Sequence, residues 1–168
     1  MLILPEGKNV SEVKKQHNQG FTLVEVMAVV VILAVLAAVA IPKLTSAGET
    51  ARVNADIATG HQVKLALDRY QVENGVYPTI DEMDDSVSNG EIVNPNFIPL
   101  YISKLDKSTT QQRAADDVKG FGVKAIPAGW PDTTPTHLIM VYLTTDGSAA
   151  EVCTYNSDLS QVLWTSAN

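Results

Sequence analysis

The chain has 168 residues, with 19 acidic and 12 basic side chains and a net charge of −7 at neutral pH. An acidic surface disfavours broad contact with phosphates, so we expect no nucleic-acid partner. The single cysteine, Cys153, excludes an intramolecular disulfide. This length leaves room for one small soluble domain beside any membrane segment.

The first twenty residues form a polar leader with three lysines, and the leader ends at Gly20. Residues 21–41 follow as an apolar run interrupted only by Thr22 and Glu25, which is long enough to span a bilayer as a helix. A secretory signal has its apolar region before the cleavage site. A cut after Gly20 would instead leave the helix on the mature protein.

Residues 20–25 read G-F-T-L-V-E and resemble the cleavage motif of type IV pilins and type II secretion pseudopilins. The resemblance extends to about residue 78. It implies that a prepilin peptidase cuts after Gly20, removes the leader 1–20 and N-methylates Phe21. A plain signal-anchor is the alternative that hydropathy alone would support.

Glu25 is expected to act with Phe21 in assembly. A carboxylate is costly in lipid and normally has a partner that neutralises it. We expect the charge of Glu25 to find no partner within its own helix and to meet the new amine of Phe21 on an axially shifted neighbour. The alternative is that Glu25 serves only in recognition by the peptidase.

The helix is predicted to run over residues 22–73. Pro42 should kink it or weaken it locally. Asn74 and Gly75 form a C-terminal stop, with Pro78 just beyond. One apolar stripe at helical spacing is predicted to pack on the soluble domain; its residues are Val53, Ile57, Gly60, Val63, Leu67 and Tyr70. Charged residues are assigned to the other faces; these are Arg52, Asp56, Lys64, Asp68 and Arg69.

Residues 79–135 are predicted to connect the helix to a sheet. Residues 98–105 have apolar side chains at helical spacing and predict a short helix. Residues 109–119 are polar and expected to be exposed. An irregular loop is expected around Trp130, between several prolines and a glycine.

An acidic cluster near the start of this region is a weak candidate cation site; its residues are Asp81, Glu82, Asp84 and Asp85. Carboxylate oxygens suit calcium, but the spacing and central glycine of an EF-hand loop are missing. A solvated loop or a helix start is the favoured interpretation, and no metal or other cofactor is predicted.

The C-terminal third predicts strands over residues 137–144, 151–155 and 161–165, with 122–125 as a further strand. Asp146 and Gly147 form a hairpin turn. One long helix followed by strands predicts an α+β domain. The family resemblance implies the pilin fold, in which a long N-terminal helix packs on an antiparallel sheet of three to four strands.

The expected domains are the leader, residues 1–20, a transmembrane and filament-core helix, residues 21–43, and a soluble head, residues 44–168. No catalytic constellation is found, because the three histidines are scattered and nucleotide-binding loops are missing. Cys153 is expected to be a small buried residue of a strand. We therefore predict a structural protein and not an enzyme.

The resemblance implies a type IV pilus subunit, polymerised through its apolar helix. The alternative is the major pseudopilin of a type II secretion system, and a second alternative is a monomeric membrane-anchored binding domain. Pseudopilins usually have a calcium-binding loop near the C-terminus. Residues 160–168 contain a tryptophan but no acidic loop, which favours the pilin.

The partners implied are further copies of the chain, a prepilin peptidase, an inner-membrane platform protein, an assembly ATPase and minor pilins. Before assembly the chain is expected in the bacterial cytoplasmic membrane, with the lysine-containing leader inside and the head outside. After assembly it is expected in an extracellular filament or the cell envelope. Adhesion, twitching motility, DNA uptake and secretion remain open as uses of the filament.

Overall fold

The computed structural model describes residues 20–84 and 87–167. The chain divides into two compact units, Met1–Pro42 and Lys43–Asn168. The predicted leader, apart from Gly20, lies outside the described residues, and so does Asp85.

One long helix, α1, Leu23–Asn74, contains 52 residues and agrees with the prediction to one residue at each end. Gly75 ends it in the left-handed region, with φ of +83°, and its N–H donates to the carbonyl of Gln71 at 2.8 Å. Pro42 lies inside the helix. The kink expected at Pro42 stays a prediction.

Two short elements follow α1. Helix α2, Ile80–Asp84, occupies the start of the acidic cluster. A small antiparallel hairpin then joins β1, Val87–Ser88, to β2, Glu91–Ile92. Its turn residues, Asn89 and Gly90, both have positive φ, as the tight hairpin turn requires. The Asn-Gly pair is a strong hairpin signal that the sequence analysis did not use.

The main sheet has four strands in the order of the chain. They are β3, Phe121–Ala125, β4, Ile139–Leu143, β5, Ala150–Tyr155, and β6, Val162–Thr165. The three C-terminal strands are antiparallel, as predicted. The expectation of a wholly antiparallel sheet is wrong for β3, which pairs with β4 in parallel. The thirteen residues that connect these two strands are enough for the crossover that a parallel pair needs.

The second part of α1 packs on this sheet through the predicted stripe. Val63 and Leu67 are fully buried in one core cluster with Leu138, Val141 and Val152. Tyr70 and Tyr77 pack at the edge of the same cluster. The stripe prediction is confirmed for Gly60, Val63, Leu67 and Tyr70, whereas Val53 and Ile57 are half-buried and lie outside this cluster. The architecture is α+β with a mixed sheet.

Gly60 sets how closely α1 approaches the sheet. A Cβ built on it would lie 2.6 Å from Oγ1 of Thr154 in β5 and 3.2 Å from the ring of Trp164 in β6. No real Cβ tolerates the first contact, so a larger residue would force the helix away from the strands.

The prediction that placed Asp56 on an outer face of α1 is wrong. Asp56 is fully buried, and its two carboxylate oxygens accept the N–H groups of Gln111 at 2.6 Å and Gln112 at 3.1 Å. Residues 109–119 are accordingly not all exposed, because Thr110 and Gln112 are buried. The sequence predicts that the charge of Asp56 is solvated. Inside the head, the backbone N–H groups of this loop instead supply the hydrogen bonds that a buried carboxylate needs.

The short helix predicted over residues 98–105 is also wrong. The chain forms turns over residues 95–101, with Phe97 N–H donating to the carbonyl of Asn94 at 3.1 Å. Pro99 lacks the N–H that a helix would need at this point. Of the apolar residues at this spacing, Leu105 is buried in the core, and Ile98, Tyr101 and Ile102 pack against the core half-buried.

We expect Gly60→Ala to destabilise the head by about 1–3 kcal/mol, because its new methyl group overpacks the contact with Thr154. Gly48→Ala is the matched control on the same helix, where a Cβ meets no atom within 4 Å. It should be neutral or stabilising, because alanine is the better helix former. Thermal unfolding of the detergent-solubilised protein, followed by near-ultraviolet circular dichroism, measures both; equal melting temperatures would contradict the close approach.

Asp56→Asn should lower the free energy of unfolding of the head by about 1–3 kcal/mol. The amide has one acceptor oxygen, whereas the loop backbone supplies two N–H donors. Asp68→Asn is the control on the same helix. Asp68 is half-exposed and pairs with Lys64, so the loss of its charge should lower the free energy of unfolding by less than about 1 kcal/mol. The same unfolding measurement compares them, and the reverse ranking would contradict the role of Asp56.

Candidate functional site

Gly20 and Phe21 lie just before α1 and are exposed, with 90% of Phe21 accessible to solvent. A Cβ built on Gly20 would meet no atom within 4 Å. The described fold therefore does not itself require glycine at this position. A requirement for glycine would have to come from a molecule that contacts this segment from outside.

Thr22 and Glu25 form a reciprocal cap on the first turn of α1. The Glu25 carboxylate accepts Thr22 N–H at 2.9 Å, and Glu25 N–H donates to Oγ1 of Thr22 at 3.3 Å. The Thr22 hydroxyl also donates to the same carboxylate oxygen at 2.9 Å. This is the capping box, which satisfies backbone donors that the helix leaves unpaired.

The Glu25 carboxylate therefore has a hydrogen-bond partner in Thr22, which the sequence-based prediction did not include. The sequence signal was present, because threonine followed three residues later by glutamate is the capping-box pattern. The charge is a separate matter. No lysine, arginine or histidine occurs between Gly20 and Pro42, so the sequence of this segment supplies no cation for Glu25.

Cleavage after Gly20 would create that cation. The new amine on Phe21 would be mostly protonated at neutral pH. It lies four residues before Glu25, about 6 Å along a helix axis. Both hydrogen bonds that the Glu25 carboxylate accepts in the cap end on Oε2. Because a carboxylate has about four lone-pair sites, the cap leaves acceptor capacity for an amine.

The apolar segment is exposed all round. Its large side chains from Leu23 to Ile41 are between 52% and 76% accessible. Among the described residues, α1 is the one helix long and apolar enough to cross a membrane. A helix that is apolar on every side is typical of a membrane span or of the core of a larger assembly.

The acidic cluster forms a helix start. Thr79 N–H donates to the Glu82 carboxylate at 2.8 Å, and Glu82 N–H donates to Oγ1 of Thr79 at 3.4 Å, which is a second capping box. Asp81 and Glu82 are exposed in the first turn of α2. The side chain of Asp84 and the whole of Asp85 lie outside what is described. In the described part of the chain, no group of three or more His, Cys, Asp or Glu side chains could hold a metal ion.

Cys153 is fully buried in β5, which confirms the prediction for this residue. Burial raises the pKa of its thiol above the ordinary value, although hydrogen bonding with Thr165 and Tyr155 acts in the opposite direction. A thiol that stays protonated is a poor nucleophile. Cys153 is therefore a packing residue of the sheet.

Comparison with known proteins places these features in a family. The family described as the prokaryotic N-terminal methylation motif matches residues 15–41. The type II secretion system core protein G of Aeromonas hydrophila is 35% identical over 82 residues, which cover 49% of this chain and 57% of that protein. The protein of the same name from Vibrio cholerae is 44% identical over 70 residues, which cover 41% of this chain and 48% of that protein.

The chain therefore spans about half the length of the curated relatives it matches. The search of solved structures found no significant match. The methylation motif, the similarity to secretion core proteins, the exposed apolar first part of α1 and the α+β head built around its second part agree with one another. These findings support the family of type IV pilins and type II secretion pseudopilins for this chain.

Proposed function

We propose that this chain is a filament subunit of the major-pseudopilin type and works in a type II secretion system. The family is a structural one, and the relatives named above are secretion system core proteins G. Sequence features alone favoured a type IV pilus subunit. The relatives favour the alternative, and we adopt it.

The observation that carries the proposal is the exposed apolar segment directly behind the cleavage motif. Such a surface needs lipid or other apolar helices around it, because water solvates it poorly. In the membrane the segment 21–43 would be surrounded by lipid. In a filament the same side chains would pack against the helices of neighbouring copies, with the heads, residues 44–168, outside.

The remaining steps need other proteins. A prepilin peptidase would remove residues 1–20 and methylate Phe21. A platform protein in the inner membrane and a cytoplasmic ATPase would drive extraction, because no nucleotide-binding motif occurs in this sequence. Minor subunits would join the same filament. We place the subunit in the cytoplasmic membrane before assembly and in the cell envelope afterwards.

A type IV pilus subunit is the second candidate. It is supported by residues 160–168, which have Trp164 but no acidic loop beside it. Deletion of the gene in its own host separates the two. Loss of secreted enzymes from the medium, with surface pili and twitching intact, supports the pseudopilin, whereas loss of pili with normal secretion overturns it in favour of the pilin.

Gly20→Val should leave the precursor uncut and held in the membrane. The peptidase must approach the backbone before the scissile bond closely, and glycine permits that approach. The fold should not suffer, because the space around Gly20 is open. Gly20→Ala should be cut at an intermediate rate. Intact mass of the membrane-extracted protein measures cleavage and methylation together, and normal processing of the valine variant would contradict the site.

Glu25→Gln and Glu25→Val separate the charge of Glu25 from its cap. Glutamine can still accept Thr22 N–H in a capping box, whereas valine cannot. If the charge pairs with the amine of Phe21 on a neighbour, both variants should be cleaved normally and both should lower filament yield by about tenfold or more, equivalent to roughly 1.4 kcal/mol. Each variant is co-expressed with wild type, and both processing and incorporation are quantified.

The glutamine variant decides between the two roles of Glu25. Assembly of the glutamine variant at the wild-type level, with failure of the valine variant, would assign Glu25 to capping and reject the pairing. Failure of cleavage in both would assign Glu25 to peptidase recognition. Normal incorporation of both would remove Glu25 from assembly altogether.

A further inference from the structure

Three charged side chains of α1 contact one loop segment of the head. They are Glu49, Arg52 and Asp56, and their spacings of three and four residues place them on one face of the helix. The segment that they contact is residues 110–113, which we call the strap. Every residue of α1 before Glu49 is exposed, and Glu49 is the first that is half-buried. The strap therefore lies where the helix first meets the head.

The contacts between α1 and the strap are polar and directional. Oε1 of Glu49 lies 3.1 Å from Nη1 of Arg113. Nη1 of Arg52 donates to the carbonyl oxygen of Gln111 at 3.1 Å. Oδ1 of Asp56 accepts the N–H of the same Gln111 at 2.6 Å. Because α1 binds both backbone polar groups of Gln111, the strap is fixed against the helix from two sides.

The strap is in turn tied to the sheet. Gln112 is buried, and its Nε2 donates to the carbonyl oxygen of Tyr155 in β5 at 2.9 Å. The hydroxyl of Thr110 accepts the N–H of Gly120, directly before β3, at 3.2 Å. The strap therefore connects the first turns of α1 in the head to the sheet by hydrogen bonds.

Apolar packing of α1 begins further along the helix. No residue from 49 to 55 is buried, and Val53 and Ile57 are half-buried and lie outside the core cluster. Close contact with the strands starts at Gly60, and the first core side chain of α1 is that of Val63. Residues 49–56 are therefore held on the head chiefly by the strap.

The part of α1 just before the strap is intrinsically weak as a helix. Residues 43–48 are all exposed. Gly48 is unfavourable in a helix interior. The hydroxyls of Ser46 and Thr50 donate to the carbonyls of Lys43 and Ser46 at 3.0 and 3.1 Å, a pattern that slightly destabilises helices. Short helices without tertiary contacts are marginal in water, so we expect this part to open readily.

We propose that the strap is a barrier to local unfolding, which keeps opening of α1 in residues 43–48 from spreading into the head. Proteins open locally in contiguous cooperative units. The strap sets the edge of the unit that contains the sheet. Without its contacts, the edge would move to Gly60, where close packing against Thr154 begins. This inference concerns the single chain and does not depend on the filament function proposed above.

Hydrogen exchange of the full chain in detergent, measured by mass spectrometry at single-residue resolution, tests the barrier. In the wild type, amide protection along α1 should rise about tenfold or more between residues 48 and 53. The rise marks the edge of the cooperative unit. A wild type in which protection changes gradually between Lys43 and Gly60 would overturn the barrier.

Arg52→Gln weakens the strap without touching the core. The shorter side chain loses the guanidinium that binds the carbonyl of Gln111, and position 52 is only half-buried. The rise in protection should move toward Gly60, with residues 53–59 losing protection about tenfold or more. Arg52→Lys retains a charged donor and should restore most of this protection. Unchanged protection of residues 53–59 in the glutamine variant would overturn the barrier.

Arg69→Gln is the matched control on the same helix. Arg69 is an exposed arginine that pairs with Glu73 within α1 at 3.0 Å and does not contact the strap. Its loss should leave the protection of residues 49–59 unchanged. Loss of protection there as large as in Arg52→Gln would assign the effect to general weakening of the helix and overturn the strap as its cause.

The amides of β4 and β5 report on unfolding of the whole head. They should exchange at the wild-type rate in the Arg52 and Arg69 variants, because the core that these strands form is intact. Equal loss of protection in these strands and in residues 53–59 would overturn the barrier, since the segment would then open only with the whole head. None of these results bears on the filament function, which the gene deletion described above decides.

Discussion

The apolar surface of residues 21–41 is the constraint on which the other features depend. Complete burial of one valine, leucine or isoleucine side chain contributes about 1.5–3 kcal/mol, and this segment exposes a long series of them. Lipid tails are about as apolar as these side chains, so leaving the membrane for a helix bundle gains little from the hydrophobic effect itself. The two environments are nearly equivalent for the segment, so in the proposed filament function the direction of transfer and the register between subunits would need other causes. That is why a single polar side chain within the segment matters.

Glu25 is that side chain, and its cap does not explain why it is a glutamate. Glutamine serves equally well at the third position of a capping box. Retaining the charge in an apolar segment has a cost that glutamine would avoid. We therefore propose that the negative charge of Glu25 interacts with a group outside the helix turn that it caps. An amine that exists only after cleavage would make assembly depend on processing, and a desolvated ion pair of this kind selects one register more than it adds net stability.

The features predicted from sequence are those encoded by local periodicity. The ends of α1, its inner stripe and the three C-terminal strands follow from spacing, turn residues and a glycine stop. Partners distant in sequence were missed. Asp56 looks like any exposed helix charge until the loop at Gln111 and Gln112 is folded over it. The parallel pairing of β3 depends on where a proline-containing crossover returns the chain, which no local pattern records. At the candidate site, Thr22 and Glu25 belong both to the cleavage motif and to a capping-box pattern, and only the motif led to a prediction.

The inner face of α1 in the head contains a carboxylate and a glycine within its apolar stripe, and the presence of each has a physical cause. The inner face can include Asp56 and Gly60, because the loop backbone satisfies the carboxylate and the strands fill the space above the glycine. The inner face of α1 is therefore not purely apolar, because it accepts a charged or a small residue where the folded loop or the strands supply what that residue lacks.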